Sequence, residues 1–216
     1  AQEIMMVIKS YMESGDLTEV PVYLEGMISE ATAIHTAYPN YLSTEIRDQI
    51  LHEGRNPFES DYFTVVKQAD SRDEIAEGGP CIIIATAGMM EGGPVIEYFK
   101  RLAPWEENGL IFVSYQVAGT MGQRLQAGLR SVQTFSHNGK MEVTNIKLGI
   151  HTIEGFSGHS DRRQLLNYVR KLKPTPKRVF LVHGEDSKCD DMARTISRFR
   201  GVWGFSPNVL ETYLLA

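Results

Sequence analysis

The sequence is poor in the features that mark several protein classes. It has two cysteines in 216 residues, Cys81 opening an apolar run and Cys189 in a polar stretch. Without a CxxC pair, neither a redox motif nor a thiolate zinc site is supported, and both thiols are expected to be reduced and structural. No apolar run reaches the roughly 18 residues of a membrane-spanning helix. The N-terminus lacks the basic, apolar and small-residue order of a signal peptide, so a cytoplasmic protein without a membrane partner is expected. Internal repeats and low-complexity tracts are missing. So are GxGxxG and a Walker A lysine loop, which leaves a nucleotide triphosphate site poorly supported. The formal charge of −5 lacks the surplus of Lys and Arg that wholesale binding of a polyanion requires.

What is present is an ordinary globular composition, 42% hydrophobic and 23% charged, in a chain long enough to bury a sizeable core. The charge is unevenly spread. From His151 onward there are eleven Lys/Arg against seven Asp/Glu, whereas Ala1 to Ile150 holds eleven against twenty. A polyanion site is therefore expected near the C-terminal third. The sequence opens at Ala1 and is already amphipathic, with Ile4, Met5, Ile8, Tyr11 and Met12 on helical spacing, so it is expected to begin inside a longer gene product.

Short apolar runs alternate with amphipathic stretches, the pattern of an α/β protein with a helix-flanked, mostly parallel sheet. Strands are expected at Val20 to Leu24, Phe63 to Val66, Cys81 to Ala85, Leu110 to Ser114 and Arg178 to Val182. Helices are expected at Gln2 to Met12, Ile28 to Ala37, Thr44 to His52, Val95 to Leu102, Gln123 to Gly128, Arg162 to Leu172 and Asp190 to Phe199. Continuous apolar runs such as Cys81 to Ile84 suit strands covered on both faces. From Val132 to Lys147 the sequence turns β-rich around Asn138-Gly139, a dipeptide suited to a type I′ hairpin turn. A lobe boundary is expected between Lys140 and His151, giving lobes of residues 1–150 and 151–216.

Three segments carry residues suited to chemistry. Val179-Phe-Leu-Val-His183-Gly184-Glu185 is an apolar strand ending on a histidine at the open edge of a sheet. That placement suits a metal ligand, with Glu185 as an acceptor for the second ring nitrogen, and equally a histidine that hydrogen-bonds its own loop. Phe156-Ser157-Gly158-His159-Ser160-Asp161 precedes a helix, with Ser160 or Asp161 as its N-cap. Small residues and helical N–H groups admit a phosphate there, and His159 is placed for general acid work; a simple capped loop is the alternative. Ile84 to Pro94 is a buried strand running into a glycine-rich loop, which offers Thr86 and Gly88 to an anion or is a tight turn and nothing more. Gly119 to Arg124 forms a similar turn, where Arg124 contacts phosphate or lies on a solvated face. His35, His52, His137 and His151 form no cluster. Arg162, Arg163, Arg170, Lys171, Lys173, Lys177 and Arg178 bracket the His159 helix.

Four segments in order, Pro21 to Pro39, Ala85-Thr-Ala-Gly-Met89, Phe156 to Asp161 and Leu181-Val-His-Gly-Glu185, resemble the β-CASP ribonucleases of the metallo-β-lactamase type. The archaeal homologues of the cleavage and polyadenylation specificity factor are the nearest in pattern, and the resemblance runs over nearly the whole chain. It implies a β-CASP insertion to about residue 150, followed by the last strands and helices of a metallo-β-lactamase fold. His159 then matches a histidine beside the scissile phosphate, proposed as general acid, and His183 matches a zinc ligand. Ser157, Gly158, Ser160, Thr86, Gly88 and Arg124 become RNA-contacting residues, and Glu185 and Asp161 their supporting acceptors. RNA is the implied substrate and two zinc ions the implied cofactor. The resemblance also implies a homodimer formed through Pro207 to Ala216.

Two departures qualify what is implied. The HxHxDH motif and the remaining metal ligands of the family lie upstream of the matched region, and no HxHxDH occurs here. Ala87 stands where relatives commonly carry serine, which removes a hydroxyl. A single ligand does not hold a dinuclear zinc site against water, so the chain by itself is expected to be inactive and to need a preceding metallo-β-lactamase region as partner. An inactive RNA-binding or assembly subunit and a small-molecule α/β-binding protein are the competing readings.

Overall fold

A computed structural model describes residues 1–135, 141–156 and 158–215, and the chain divides into two compact units, Ala1–Ser157 and Gly158–Ala216. The first unit opens with α1, Gln2–Glu13, whose Met5 and Met12 are fully buried. Their seven-residue spacing, with Ile8 between them, lays one apolar stripe against Val22, Leu24 and Ile28. The strand that receives it, β1 at Val22–Glu25, lies between two parallel neighbours. These are β2 at Phe63–Val65 and β3 at Ile82–Ala85, in the order β2-β1-β3. Val22 pairs with both Phe63 and Ile82. A central strand with both faces covered needs the near-continuous apolar run that the sequence shows.

Helices follow each of these strands: α2 at Ile28–Ala37 and α3 at Thr44–Leu51 after β1, α4 at Ser71–Glu77 after β2, and α5 at Pro94–Leu102 after β3. Next come β4 at Gly109–Phe112, α6 at Met121–Gln126, the strands β5 at Ser131–Phe135 and β6 at Met141–Asn145, and β7 at Gly149–Thr152. β7 pairs in parallel with β4, and β5 with β6 in antiparallel. Met90, Phe99, Ala103, Phe112, Leu125, Val132, Ile146 and Leu148 form one buried cluster that joins α5, β4, α6 and the β5–β6 pair.

The second unit is built from α7 at Arg162–Lys171, β8 at Arg178–Phe180, α8 at Asp186–Ile196 and β9 at Trp203–Phe205. β8 and β9 pair in parallel. One face of the pair is covered by Leu166 and Val169 of α7 and by Ile196 of α8, with Val202 completing the cluster. On the other face Phe180, Phe205 and Tyr213 pack ring against ring, with centroids 5.1 to 5.5 Å apart.

The helix-flanked parallel sheet matches the expectation, with shifts at element ends. α8 begins at Asp186, four residues before the predicted Asp190, because the extended backbone of Glu185 (φ −63°, ψ 137°) starts the helix ahead of its apolar periodicity. The strand predicted to reach Ser114 ends at Phe112, and the helix predicted from Gln123 starts at Met121 behind Thr120, whose side chain accepts from the Gln123 N–H at 3.3 Å. α4 and β9 were not predicted. α4 buries only Ile75, and β9 is three residues long with Gly204 at its centre. A Cβ on Gly204 would stand 2.3 Å from the Ala193 carbonyl oxygen, so glycine is what lets β9 lie against α8. The Asn138-Gly139 turn falls outside the described residues, while the strands on either side pair up to Phe135 and Met141.

Candidate functional site

His159 and His183 each stand three residues before the first residue of a helix, α7 and α8 respectively. α7 meets α8 and the segment after it through two long side chains: the Arg162 guanidinium donates to Asp191 at 2.6 Å and to Thr195 at 2.8 Å, both in α8, and the Arg170 guanidinium lies over the Phe199 ring, 4.5 Å from its centroid. Each histidine therefore leads into a helix N-terminus of the second unit, where unpaired N–H groups and the helix dipole favour an anion. Both are exposed.

Each histidine has a local cause for its position. α7 begins with a capping box: the Asp161 carboxylate accepts from the Gln164 N–H at 2.7 Å, and the Gln164 side chain accepts from the Asp161 N–H at 2.8 Å. Asp161, not Ser160, is thus the N-cap, and its capping bond fixes the approach to the helix two residues beyond His159. Ser160 and Gly158 are exposed, and Ser157 lies outside the described residues. His183 sits at φ +65°, in the left-handed region that few non-glycine residues occupy. That conformation turns the chain from β8 into α8. Glu185, expected beside His183, accepts from the Lys188 ammonium at 2.9 Å.

Thr86, Gly88 and Arg124 belong to the first unit, and there the structure joins two loops that read as separate turns in the sequence. The loop after β3 holds Thr86 and Gly88, and the loop after β4 leads into α6 with Arg124 exposed on its surface. Gln116 donates its side-chain N–H groups to the Gly88 carbonyl at 2.9 Å and the Ser114 carbonyl at 3.1 Å. The Gly122 N–H donates to the Met89 carbonyl at 3.2 Å, and the Met121 N–H to the Glu91 carboxylate at 2.6 Å. Thr86 is seated from behind: a Cβ on Gly26 (φ +93°) would stand 2.0 Å from its hydroxyl oxygen. Both loops leave the C-terminal ends of parallel strands, the edge at which open α/β sheets build sites.

Sequence reasoning missed Gln116 and a buried ionic group beside the same edge. Glu25, the last residue of β1, is 8% exposed. It accepts from Arg72 Nε at 2.9 Å and from the Tyr98 hydroxyl at 2.7 Å, with Arg72 Nη2 also in contact. Burial pushes its carboxyl up, but the Arg72 and Tyr98 hydrogen bonds and the Arg72 charge outweigh burial and hold it below its ordinary value. Burial and the same carboxylate push the Tyr98 phenol well up. A carboxylate closing an otherwise apolar strand was the available signal.

Among the described residues no three His, Cys, Asp or Glu side chains group so as to hold an ion, so the imidazole of His183 does not make a zinc site unaided. No helix among the described residues is long and apolar enough to cross a membrane.

Comparison with known proteins gives two adjoining matches. The Beta-Casp domain family matches residues 1–125, and the Zn-dependent metallo-hydrolase RNA specificity domain matches residues 144–207. The transcription termination factor FttA of Thermococcus kodakarensis is 51% identical over 216 residues, covering 100% of this chain and 33% of the relative. The factor of the same name from Cenarchaeum symbiosum is 50% identical, covering 100% and 34%, and that from Methanocaldococcus jannaschii 51% identical over 199 residues, covering 92% and 31%. The chain spans about a third of the length of these relatives.

Proposed function

We propose that this chain, which belongs to the β-CASP family and continues into the RNA specificity domain of Zn-dependent metallo-hydrolases, is part of a ribonuclease that cleaves RNA phosphodiester bonds. The observation that carries the reading lies within the residues matched to the RNA specificity domain. There His159 and His183 each stand three residues before a helix, so an imidazole able to give a proton stands beside an N-terminus that favours a phosphate. His159 is the proton donor to the leaving oxygen. Gly158 and Ser160 leave room for the phosphate, Ser157 is a further proposed RNA contact, and Thr86, Gly88 and Arg124 contact the strand elsewhere.

His183 is one ligand of a zinc site whose other ligands precede this chain in a longer protein, with Glu185 and Asp161 as its polar surroundings. The missing metallo-β-lactamase region is the partner of residues 151–216, and residues 1–150 are the β-CASP insertion. Alone, the chain is inactive. The relatives are termination factors by name, which favours a transcript as the RNA. The exposed side chains of Val209, Leu210, Leu214 and Leu215 support a homodimer through the C-terminal segment.

The test is cleavage of single-stranded RNA with zinc by this chain and by the full-length gene product. We expect cutting by the long protein only, and a loss in kcat of about 10²- to 10⁴-fold on His159→Ala. Cutting by the chain alone overturns its inactivity. Binding without cutting by the long protein replaces the ribonuclease with an RNA-binding subunit.

A further inference from the structure

We propose that Gln116 is a positioning residue for RNA. Its amide locks the loops after β3 and β4 into one ledge, so that Thr86 to Gly88 meet the ribose-phosphate chain of single-stranded RNA already in place. The inference rests on the reading of the chain as RNA-acting, and assigns to it a residue that contacts no substrate.

The amide is fixed from every side. Gln116 is 4% exposed, and its two donated hydrogen bonds go to main-chain carbonyls on the two different loops, Gly88 and Ser114. A flipped amide would set its oxygen against both carbonyl oxygens, so only one orientation satisfies the donors. The oxygen Oε1 is left buried with no hydrogen-bond partner. It faces Gly122, where a Cβ would stand 1.8 Å away. A leucine of similar volume would fill this space without burying an unmatched acceptor. What the glutamine supplies, therefore, is its pair of N–H groups.

Those groups hold loop rather than core. The loop after β3 is anchored from beneath by Met90, 2% exposed, in the cluster with Phe99, Phe112 and Leu125. That cluster carries the packing of α5, β4 and α6 whether or not the amide is present. Above it, Gln116 acts on the main chain of Gly88, an exposed residue whose carbonyl accepts from the amide. Without the brace the loops stay joined at Met89 and Glu91, but the main chain at Gly88 would have to be ordered at the moment of binding, and that ordering is subtracted from affinity. The signature is weaker binding with unchanged chemistry on bound RNA.

The experiment uses the full-length gene product. Gln116→Leu removes both donors, and Gln116→Glu keeps the shape while placing a carboxylate against two carbonyls. Gly122→Ala drives a methyl group into Oε1 from the opposite side and gives the same reading if Gln116→Leu does not fold. Binding is measured by fluorescence anisotropy with a fluorescein-labelled, slowly cut phosphorothioate single-stranded RNA, and cleavage by steady-state kinetics. Expected are rises of about tenfold in Kd and KM, with kcat changed by less than about twofold. Unchanged Kd and KM, or a fall in kcat with both unchanged, overturns the proposal. If the wild type binds this RNA and does not cut, the ribonuclease reading fails while a Kd shift still supports the ledge. If it does not bind, both fall.

Discussion

Replacing Arg72 by methionine isolates the worth of the ionic group at the end of β1. Glu25 is 8% exposed and Arg72 keeps 19% side-chain exposure, so the pair is mostly withdrawn from water. With the guanidinium gone, the Tyr98 hydroxyl remains as donor to a charge that solvent barely reaches. Breaking a buried pair by removing one partner costs about 3–5 kcal/mol, and the residual access of water at Arg72 points to the lower end. For a unit of this size about 3 kcal/mol corresponds to a melting temperature lower by roughly 6–12 °C. The assay is urea unfolding in a Trp203→Phe background, which leaves Trp105 in the first unit as the sole tryptophan. The double variant Glu25→Gln/Arg72→Met, which removes the stranded charge, should be more stable than Arg72→Met alone. Acid gives an independent check. Because Glu25 in the folded state titrates below its ordinary value, its stabilisation is complete above the unfolded value of about 4.3. It is lost as pH falls through the lower folded value. Stability of the wild type should drop across that interval, and that of Arg72→Met should drop less. A loss under about 1 kcal/mol in Arg72→Met, or a double variant no better than the single, would refute the reasoning.

At the second unit's sheet, Gly204→Ala forces a methyl group into the Ala193 backbone. It should cost about 3 kcal/mol or more, read from Trp203 fluorescence on unfolding; a loss under about 1 kcal/mol would show that β9 can move away freely. At position 183 the left-handed backbone (φ +65°) makes His183→Gly the more stable of two imidazole-free variants, by about 1 kcal/mol over His183→Ala, and melting curves showing the opposite order contradict the backbone assignment. Loss of the α7 capping box in Asp161→Ala should cost about 1 kcal/mol, measured by urea titration. Leu214→Asp with Leu215→Asp leaves Tyr213 on Phe180 and Phe205 and should turn a dimer into a monomer in light scattering; a persisting dimer removes the C-terminal segment from the interface.

The parts of the fold legible in the sequence were those whose burial is continuous along the chain. β1 reads as a strand because β2 and β3 cover both its edges and helices its faces, and α2 was read with the bounds it has. α4 was silent because one buried residue, Ile75, sets no period. β9 was silent because Gly204, required by the close approach of Ala193, looks like a turn residue in isolation. For the site, motif order singled out His159 and His183, and their chain positions before two helices were visible. The contacts of α7 with α8 and the segment after it, Arg162 to Asp191 and Arg170 to Phe199, join pairs 29 residues apart with no local signal. The joining of the two strand-end loops was hidden for the same reason, since Gln116 reaches Gly88 across 28 residues. Of the two caps the sequence offers, Ser160 and Asp161, it is Asp161 that caps α7, with Gln164 completing the motif.

The left-handed backbone at position 183 also limits which descendants of this sequence can arise. Of the twenty residues, glycine, asparagine, aspartate and histidine tolerate that conformation best. Within those four only histidine and aspartate are zinc ligands. If His183 is the zinc ligand proposed above, lineages that keep the turn from β8 into α8 meet a short menu: a ligand is retained as histidine or exchanged for aspartate, or it is lost outright to glycine or asparagine. On that proposed role, loss of metal binding would need only a single substitution that keeps the fold, a route by which an inactive paralogue can emerge without passing through an unfolded intermediate.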